Sequence, residues 1–221
     1  MCGRYTLKLS LENLEAVFHP ERSALGDRDV SAVSKDQVFP TDWVPVLVNE
    51  QGLRALKLMR WGLIPAWSQE PPSAPLINAR AETLREKPSF RDAFARQRCL
   101  VPSEAFLEWK ADGRRKVPYR ISMKDGRPFA MGAVWDRWKD PTSGEIIESV
   151  AIVTTGPNDL VAPIHDRMPL ILHETDYAKW LDPQTPISEA SALLVPFDSG
   201  PMQAEPLASP RPESPQLSFL D

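Results

Sequence analysis

VPYRISMKDGRPFAMGAVW, residues 117–135, is the stretch that decides the fold. Two segments rich in β-branched, aromatic and other apolar residues flank Asp125-Gly126, a dipeptide typical of tight turns. The pattern predicts two strands, Val117 to Met123 and Phe129 to Trp135, joined by a hairpin turn. Hairpin-linked strands pair antiparallel, so this stretch predicts an antiparallel sheet.

The same alternation of apolar segment and turn recurs on both sides of this stretch. Because closely spaced strands with hairpin turns favour antiparallel pairing, the sequence predicts an α+β fold with a mainly antiparallel, curved or barrel-like β-sheet core. The further predicted strands are Trp43 to Val48, Leu53 to Trp61 and Ile146 to Thr154, and the further turn signals are Asp112-Gly113, Asp140-Pro141 and Ser143-Gly144.

Four short helices are predicted between the strands. Ser10 is a good N-cap for a helix reaching Phe18, whose apolar residues recur at helical spacing. Ser89-x-x-Asp92 resembles a capping box that opens a second helix through Phe94. The other two candidates are Thr175 to Leu181 and Ser188 to Leu194.

The last 24 residues differ from the rest of the chain. Prolines crowd this segment and hydrophobic periodicity disappears. The sequence therefore predicts one domain over residues 2–197 and a proline-rich flexible tail over residues 198–221.

Composition excludes several classes of protein. The chain has 42% hydrophobic and 25% charged residues, and no run approaches the roughly 18 apolar residues of a membrane helix. The first thirty residues lack a signal-peptide pattern, so a cytoplasmic protein without membrane contact is predicted. Two Cys and three His, none at metal-ligand spacing, predict no metal and no cofactor. A net charge of −4 means that any contact with nucleic acid must come from a local patch.

Cys2 follows the start methionine directly. Removal of Met1 would leave an α-amine, with a pKa of about 7.7–8.0, and a thiol on one residue. Such a 1,2-aminothiol suits an aldehyde: the amine forms an imine, and the sulfur then closes on the same carbon to give a thiazolidine. The alternative is that Cys2 is incidental and the segment only begins a first strand.

Three later stretches contain polar residues that suit catalysis. PLINARAET includes Asn78 and Arg80, PSEAFLEWK includes Glu108 on a predicted strand, and APIHDRMPL sets His165 in a proline-bracketed loop. Each also has a structural explanation. Asn78 could satisfy the hydrogen bonds of a turn, Glu108 could pair with Lys110 on a solvated strand face, and His165 could be a structural or exposed loop residue.

Five motifs in this order resemble those of the SRAP (SOS response-associated peptidase) family, the abasic-site processing proteins. The similarity covers roughly residues 2 to 197. The motifs are Cys2-Gly3-Arg4-Tyr5, Trp61-Gly62-Leu63-Ile64-Pro65, Asn78-Ala79-Arg80-Ala81-Glu82-Thr83, Glu108-Trp109-Lys110 and Ile164-His165-Asp166-Arg167-Met168-Pro169.

The resemblance implies a protein that removes its own Met1 and then traps the aldehyde of an abasic site in single-stranded DNA as a thiazolidine crosslink through Cys2. It implies Asn78, Glu108 and His165 as the other catalytic residues. Their chemistry fits: His165 suits proton transfer near neutral pH, Glu108 suits a proton relay if burial raises its pKa, and Asn78 suits positioning by hydrogen bonds.

Three arginines adjacent to these motifs are predicted to bind DNA. Guanidinium groups of Arg4, Arg80 and Arg167 suit phosphate oxygens, although each could instead pair with a nearby carboxylate such as Asp166 or Glu82. Trp67 could stack on a base, whereas Trp61, Trp109, Trp135 and Trp138 are predicted to lie in the core.

The sequence departs from the family in two places. Gln37-Val38-Phe39-Pro40 stands where relatives commonly have Asn-x-x-Pro, which could alter the DNA groove, and the family's closing segment is not recognisable before the tail. The tail itself contains a segment similar to short peptides that bind the bacterial sliding clamp. Its candidate docking residues are Gln216, Leu217, Phe219 and Leu220.

Two other functions stay open on the sequence alone. Cys2 with its own α-amine as base would suit an N-terminal-nucleophile cysteine amidohydrolase or peptidase. A non-enzymatic DNA or clamp adaptor would leave Cys2 idle. The leading hypothesis predicts a monomer that associates with the nucleoid when it acts on DNA.

Overall fold

The computed structural model describes residues 3–25, 34–113 and 115–207. These residues form two β-sheets and a few short helices, in agreement with the predicted α+β class. The strands are β1 (Tyr5–Leu7), β2 (Arg22–Ala24), β3 (Lys35–Val38), β4 (Trp43–Glu50), β5 (Leu53–Trp61), β6 (Asn78–Arg80), β7 (Arg98–Ser103), β8 (Ala105–Asp112), β9 (Arg115–Met123), β10 (Phe129–Lys139), β11 (Ile146–Thr155), β12 (Met168–Pro169), β13 (Ile171–Leu172) and β14 (Met202–Pro206). The helices are α1 (Leu11–Phe18), α2 (Arg91–Arg96), α3 (Tyr177–Leu181) and α4 (Ile187–Ala192).

Five strands of the larger sheet close into a barrel in the order β4, β5, β11, β10 and β7. The neighbours pair antiparallel except β5 and β11, which pair parallel at Ser149↔Arg60 and Val150↔Trp61 and so complete the ring. Closure removes the exposed edges that an open sheet would present. The predicted barrel-like core is therefore confirmed.

The second sheet has the strand order β14, β9, β8, β1 and β3. Its central hairpin joins β8 to β9 at the predicted Asp112-Gly113 turn, where Gly113 has a φ of +58°. Tyr5 of this sheet and Trp61 of the barrel are both fully buried. Their rings pack edge to face, with the ring centres 5.4 Å apart. The two sheets therefore share one apolar core.

The turn at Asp125-Gly126 does not form the predicted hairpin. β9 lies in the second sheet between β8 and β14, whereas β10 lies in the barrel between β7 and β11. Asp125-Gly126 makes the expected turn, with Gly126 at a φ of +72°, but it carries the chain from one sheet to the other. Both strands were predicted at the right place; their pairing was wrong because each has its two edges occupied by other strands.

The helices form where the sequence predicts them, with one difference in capping. The Ser10 side chain accepts a hydrogen bond from the Asn13 N–H at 3.2 Å and caps α1 as expected. The predicted capping box of Ser89 is wrong, because α2 begins at Arg91 and its N-cap is Phe90. Ser89 lies instead in the preceding turn, in which the Lys87 carbonyl accepts a hydrogen bond from the Phe90 N–H.

The folded part extends beyond the predicted boundary at residue 197. β14 pairs with β9 over five residues, and Met202 at its start is only 1% exposed. Prolines made this segment resemble a tail, but an edge strand tolerates proline because one of its sides needs no hydrogen-bond donors. The predicted clamp-docking residues Gln216, Leu217, Phe219 and Leu220 lie outside the described residues, and clamp binding stays a prediction.

Candidate active site

Glu108 is the buried acidic residue of the site. It lies on β8, where the strand faces the core, and only 2% of its surface is exposed. Burial raises the pKa of its carboxyl above the ordinary value, while the charge of His165 acts in the opposite direction. The burial on which the predicted proton-relay role of Glu108 depends is therefore present, and the role itself stays a prediction.

His165 lies in the loop between β11 and β12, which is held by a hydrogen bond from the His165 N–H to the Val161 carbonyl. Its Nε2 is 3.7 Å from Oε2 of Glu108. Its Nδ1 accepts a 3.0 Å hydrogen bond from the Arg167 backbone N–H, which assigns the proton of the neutral ring to Nε2. The Asp166 carboxylate is also 3.0 Å from Nδ1, but that side chain is exposed, so the backbone donor determines the tautomer.

A cleft of about 400 Å³ opens over this pair. It is lined by Glu108, Trp109, Lys116 and His165. The cleft thus combines a buried carboxyl, an imidazole, an indole and an ammonium group, which suits a small polar substrate with a negative charge nearby.

The start of the chain runs towards the cleft along β8. The Leu107 N–H donates to the Arg4 carbonyl at 2.9 Å, so the pairing of β1 with β8 continues beyond Tyr5 towards Gly3. Cys2 itself lies outside the described residues. The guanidinium carbon of Arg4 is 5.0 Å from the ring centre of Trp109, which brings this predicted DNA-binding residue to the wall of the cleft.

Arg167 is engaged inside the protein. Its guanidinium forms a fork with Glu82, at 2.6 and 3.0 Å, and donates to the Thr154 carbonyl at 2.5 Å. Hydrogen bonding to Arg167 lowers the pKa of the Glu82 carboxyl. This carboxylate pairing is the alternative that the sequence left open for Arg167, and it fixes the backbone N–H that orients His165.

Asn78 and Arg80 begin and end β6, which pairs with β11 over Ile152–Thr154. Asn78 is half-buried, whereas Arg80 is exposed. β6 therefore lies against the same end of β11 whose Thr154 carbonyl accepts from Arg167.

Trp67 is 59% exposed, and its indole N–H donates to the Pro88 carbonyl at 3.4 Å. Its described contacts involve none of the other predicted site residues.

Two residues of the cleft were missed in the sequence. Trp109 was predicted to lie in the core but is half-buried in the cleft wall, and Lys116 belongs to a basic segment that is equally typical of a solvated strand edge. The Asp112-Gly113 turn was the available signal, because a hairpin there pairs Ala111 with Lys116 and folds Lys116 back towards Trp109.

Neither a metal site nor a membrane-spanning helix is found in the described part of the chain. Within residues 3–25, 34–113 and 115–207, no group of three or more His, Cys, Asp and Glu side chains could hold a metal ion. The helices of the same ranges are all too short or too polar to cross a membrane.

The described residues thus form an α+β protein with a closed five-stranded barrel and a second sheet. Its cleft contains a buried carboxyl and a histidine. The chain belongs to the SOS response associated peptidase (SRAP) family, whose model matches residues 1–210.

Curated relatives and solved structures agree with this assignment. The chain is 35% identical to "Abasic site processing protein YoqW" of Bacillus subtilis over 235 positions, which cover 98% of each protein. It is 31% identical to "Abasic site processing protein HMCES" of Xenopus tropicalis over 66% of this chain and 51% of that one. A crystal structure of a Bacteroides thetaiotaomicron protein, 32% identical, superposes with a TM-score of 0.86 over 93% of this chain and 92% of that one.

Proposed function

We propose that this protein processes abasic sites in DNA by forming a covalent thiazolidine crosslink through Cys2. The observation that supports the proposal most is the buried Glu108 carboxyl 3.7 Å from His165, at the strand that pairs with the residues following Cys2. The relatives named as abasic site processing proteins support the same lesion as the target.

The chemistry has two stages. Hydrolysis of the Met1–Cys2 peptide bond consumes one water and frees the α-amine; either the site itself or a separate aminopeptidase performs it. The amine then adds to the C1′ aldehyde of the ring-opened deoxyribose and loses water to give an imine. The thiol S–H adds across the C=N bond, the sulfur to carbon and the proton to nitrogen, so that one water is lost for each crosslink.

Glu108 and His165 divide the proton transfers. Burial raises the pKa of Glu108 and so favours the protonated carboxyl, which can pass its proton to the departing hydroxyl of the carbinolamine. His165 carries its proton on Nε2, beside Glu108, and suits opening of the sugar ring. Asn78 is assigned to positioning, because an amide does not titrate.

DNA contact is assigned to the residues at the mouth of the cleft. Arg80 is exposed and Arg4 lies beside Trp109, so both suit phosphate oxygens of a single strand. Arg167 is assigned to holding the His165 loop, because its guanidinium is already engaged by Glu82. Trp67 remains a candidate for base stacking at a separate exposed position.

The first test compares wild type and Cys2→Ala with single-stranded DNA that carries one abasic site. We expect a heat-resistant adduct on a denaturing gel from wild type alone, with an intact mass equal to protein lacking Met1 plus DNA minus one water. Absence of an adduct from correctly processed wild type would contradict the proposal and favour the amidohydrolase hypothesis.

A further inference from the structure

Phe39 is an aromatic side chain that the fold leaves 43% exposed beside the cleft. Its ring centre is 4.7 Å from the guanidinium carbon of Arg4, which is itself 5.0 Å from the ring centre of Trp109. Trp109 lines the cleft with Glu108. The three groups therefore form a continuous stack that runs from the cleft wall to solvent, and Phe39 is its outer member. The preceding Val38 is buried, whereas Gln37 and Thr41 on either side are exposed.

The turn that presents Phe39 is fixed by several hydrogen bonds. The Asp42 N–H donates to the Phe39 carbonyl at 3.1 Å, and the Phe39 N–H donates to Oδ2 of Asp42 at 2.9 Å. The Thr41 N–H donates to the Trp61 carbonyl of the barrel at 2.8 Å. The turn follows β3 of the second sheet directly and is hydrogen-bonded to the barrel, so the backbone of Phe39 has little freedom.

Thr41 of this turn is also strained. Its φ is +76°, a conformation that glycine or asparagine normally supplies and that costs a β-branched residue about 1–2 kcal/mol. Such strain persists where the surrounding structure determines the conformation, and it is concentrated at functional sites. The strained turn is consistent with selection for the orientation of Phe39.

An abasic nucleotide leaves a gap in the stack of bases, so each flanking base has one face without a partner. Stacking on an aromatic side chain contributes about 1–3 kcal/mol per base and does not depend on base identity. We propose that Phe39 stacks on one of the two bases that flank the abasic nucleotide and fills the place of the missing base. This inference rests on the proposed function, because it requires the abasic nucleotide to enter the adjacent cleft.

The test is a double-mutant cycle that removes the Phe39 ring, one flanking base of the DNA, or both. Single-stranded DNA with one tetrahydrofuran residue, an abasic analogue without an aldehyde, is titrated by fluorescence anisotropy. We expect Phe39→Leu to weaken binding by about 5- to 150-fold. A second tetrahydrofuran at one of the two flanking positions should weaken wild type by a similar factor and hardly affect Phe39→Leu. Phe39→Tyr keeps the ring and should retain this coupling.

The outcomes separate the stacking from the chemistry. Additive losses at both flanking positions would overturn the stacking role, whatever the affinity of Phe39→Leu. For each variant, the effect of removing a flanking base is measured as the ratio of its affinities for the two DNAs. A general loss of affinity in that variant lowers both affinities equally and therefore cancels from this ratio. Crosslinking of a natural abasic site by wild type is measured in parallel: crosslinking without coupling refutes the stacking alone, and coupling without crosslinking refutes the thiazolidine chemistry alone.

Discussion

Glu108 is the residue whose burial has the clearest energetic consequence. Its pKa is raised in the folded protein, so between the ordinary value and the raised one the folded state binds more protons than the unfolded chain. Stability therefore decreases as pH rises through that window, opposite to the usual behaviour of a salt-bridged carboxylate. A group retained at a cost to stability is typical of a catalytic position.

We expect Glu108→Gln to be more stable than wild type at pH 8 and equal to it at pH 4, because the amide resembles the protonated carboxyl and cannot ionise. Thermal unfolding of both proteins across this range measures the difference. Glu145→Gln, at an exposed turn, is the control for loss of a carboxylate. A stability gain for Glu108→Gln at pH 4 but not at pH 8 would contradict the assigned direction of the pKa.

The catalytic candidates could be identified from sequence, but their contacts could not. Glu108 and His165 were found because each lies in a recognisable motif, whereas the burial of Glu108 was only a condition of its predicted role, and a solvated strand face was the open alternative. Their 3.7 Å approach depends on the loop after β11 folding over β8 of the other sheet, which no local pattern encodes. The engagement of Arg167 by Glu82 has the same origin, since its partner comes from the 3-10 turn after β6.

At the level of elements, Arg98 joins two helices to the barrel. It is the first residue of β7 and is 2% exposed. Its guanidinium donates to the Phe94 carbonyl at the end of α2, at 2.8 Å, and to the Trp180 carbonyl near the end of α3, at 2.7 Å. One cation thus satisfies the last carbonyls of two short helices, which lack enough turns to be stable alone.

Replacing Arg98 by Met should lower the free energy of unfolding by about 3 kcal/mol or more, because hydrogen bonds to a charged group contribute about 1.5–3 kcal/mol each. Chemical denaturation measures the change. Arg96→Met is a matched control two residues away, where the side chain is exposed, and should change stability by less than about 0.5 kcal/mol. Equal effects of the two substitutions would show that Arg98 does not act through these carbonyls.

The elements themselves were largely predictable, and their partners were not. Apolar alternation identified β4, β5, β9, β10 and β11 within a few residues, and Ser10 identified the start of α1. The Asp125-Gly126 turn shows the limit: its chemistry specifies a reversal of the chain, while the choice between hairpin and crossing depends on which strand edges are free.

On the scale of the whole molecule, β14 extends the described fold beyond residue 197. It covers the outer edge of β9, the strand that also contains the cleft residue Lys116. Two further contacts hold it: the Lys124 N–H donates to the Pro201 carbonyl at 2.9 Å, and the Asn158 side chain donates to the Phe197 carbonyl at 2.8 Å. Composition alone suggested a tail here because prolines obscure a strand that is stabilised by long-range pairing.

A chain ending at Phe197 should therefore be much less stable than one ending at Leu207. Burial of Met202 alone contributes about 1.5–3 kcal/mol, and the lost pairing exposes backbone groups of β9 in addition. Thermal unfolding of the two truncated proteins and the full chain measures the effect, with the chain ending at Leu207 as the control for removal of residues 208–221. We expect that control to unfold with the full chain. If the chain ending at Phe197 unfolded there too, β14 would contribute nothing, and the boundary predicted from composition would be the physical one.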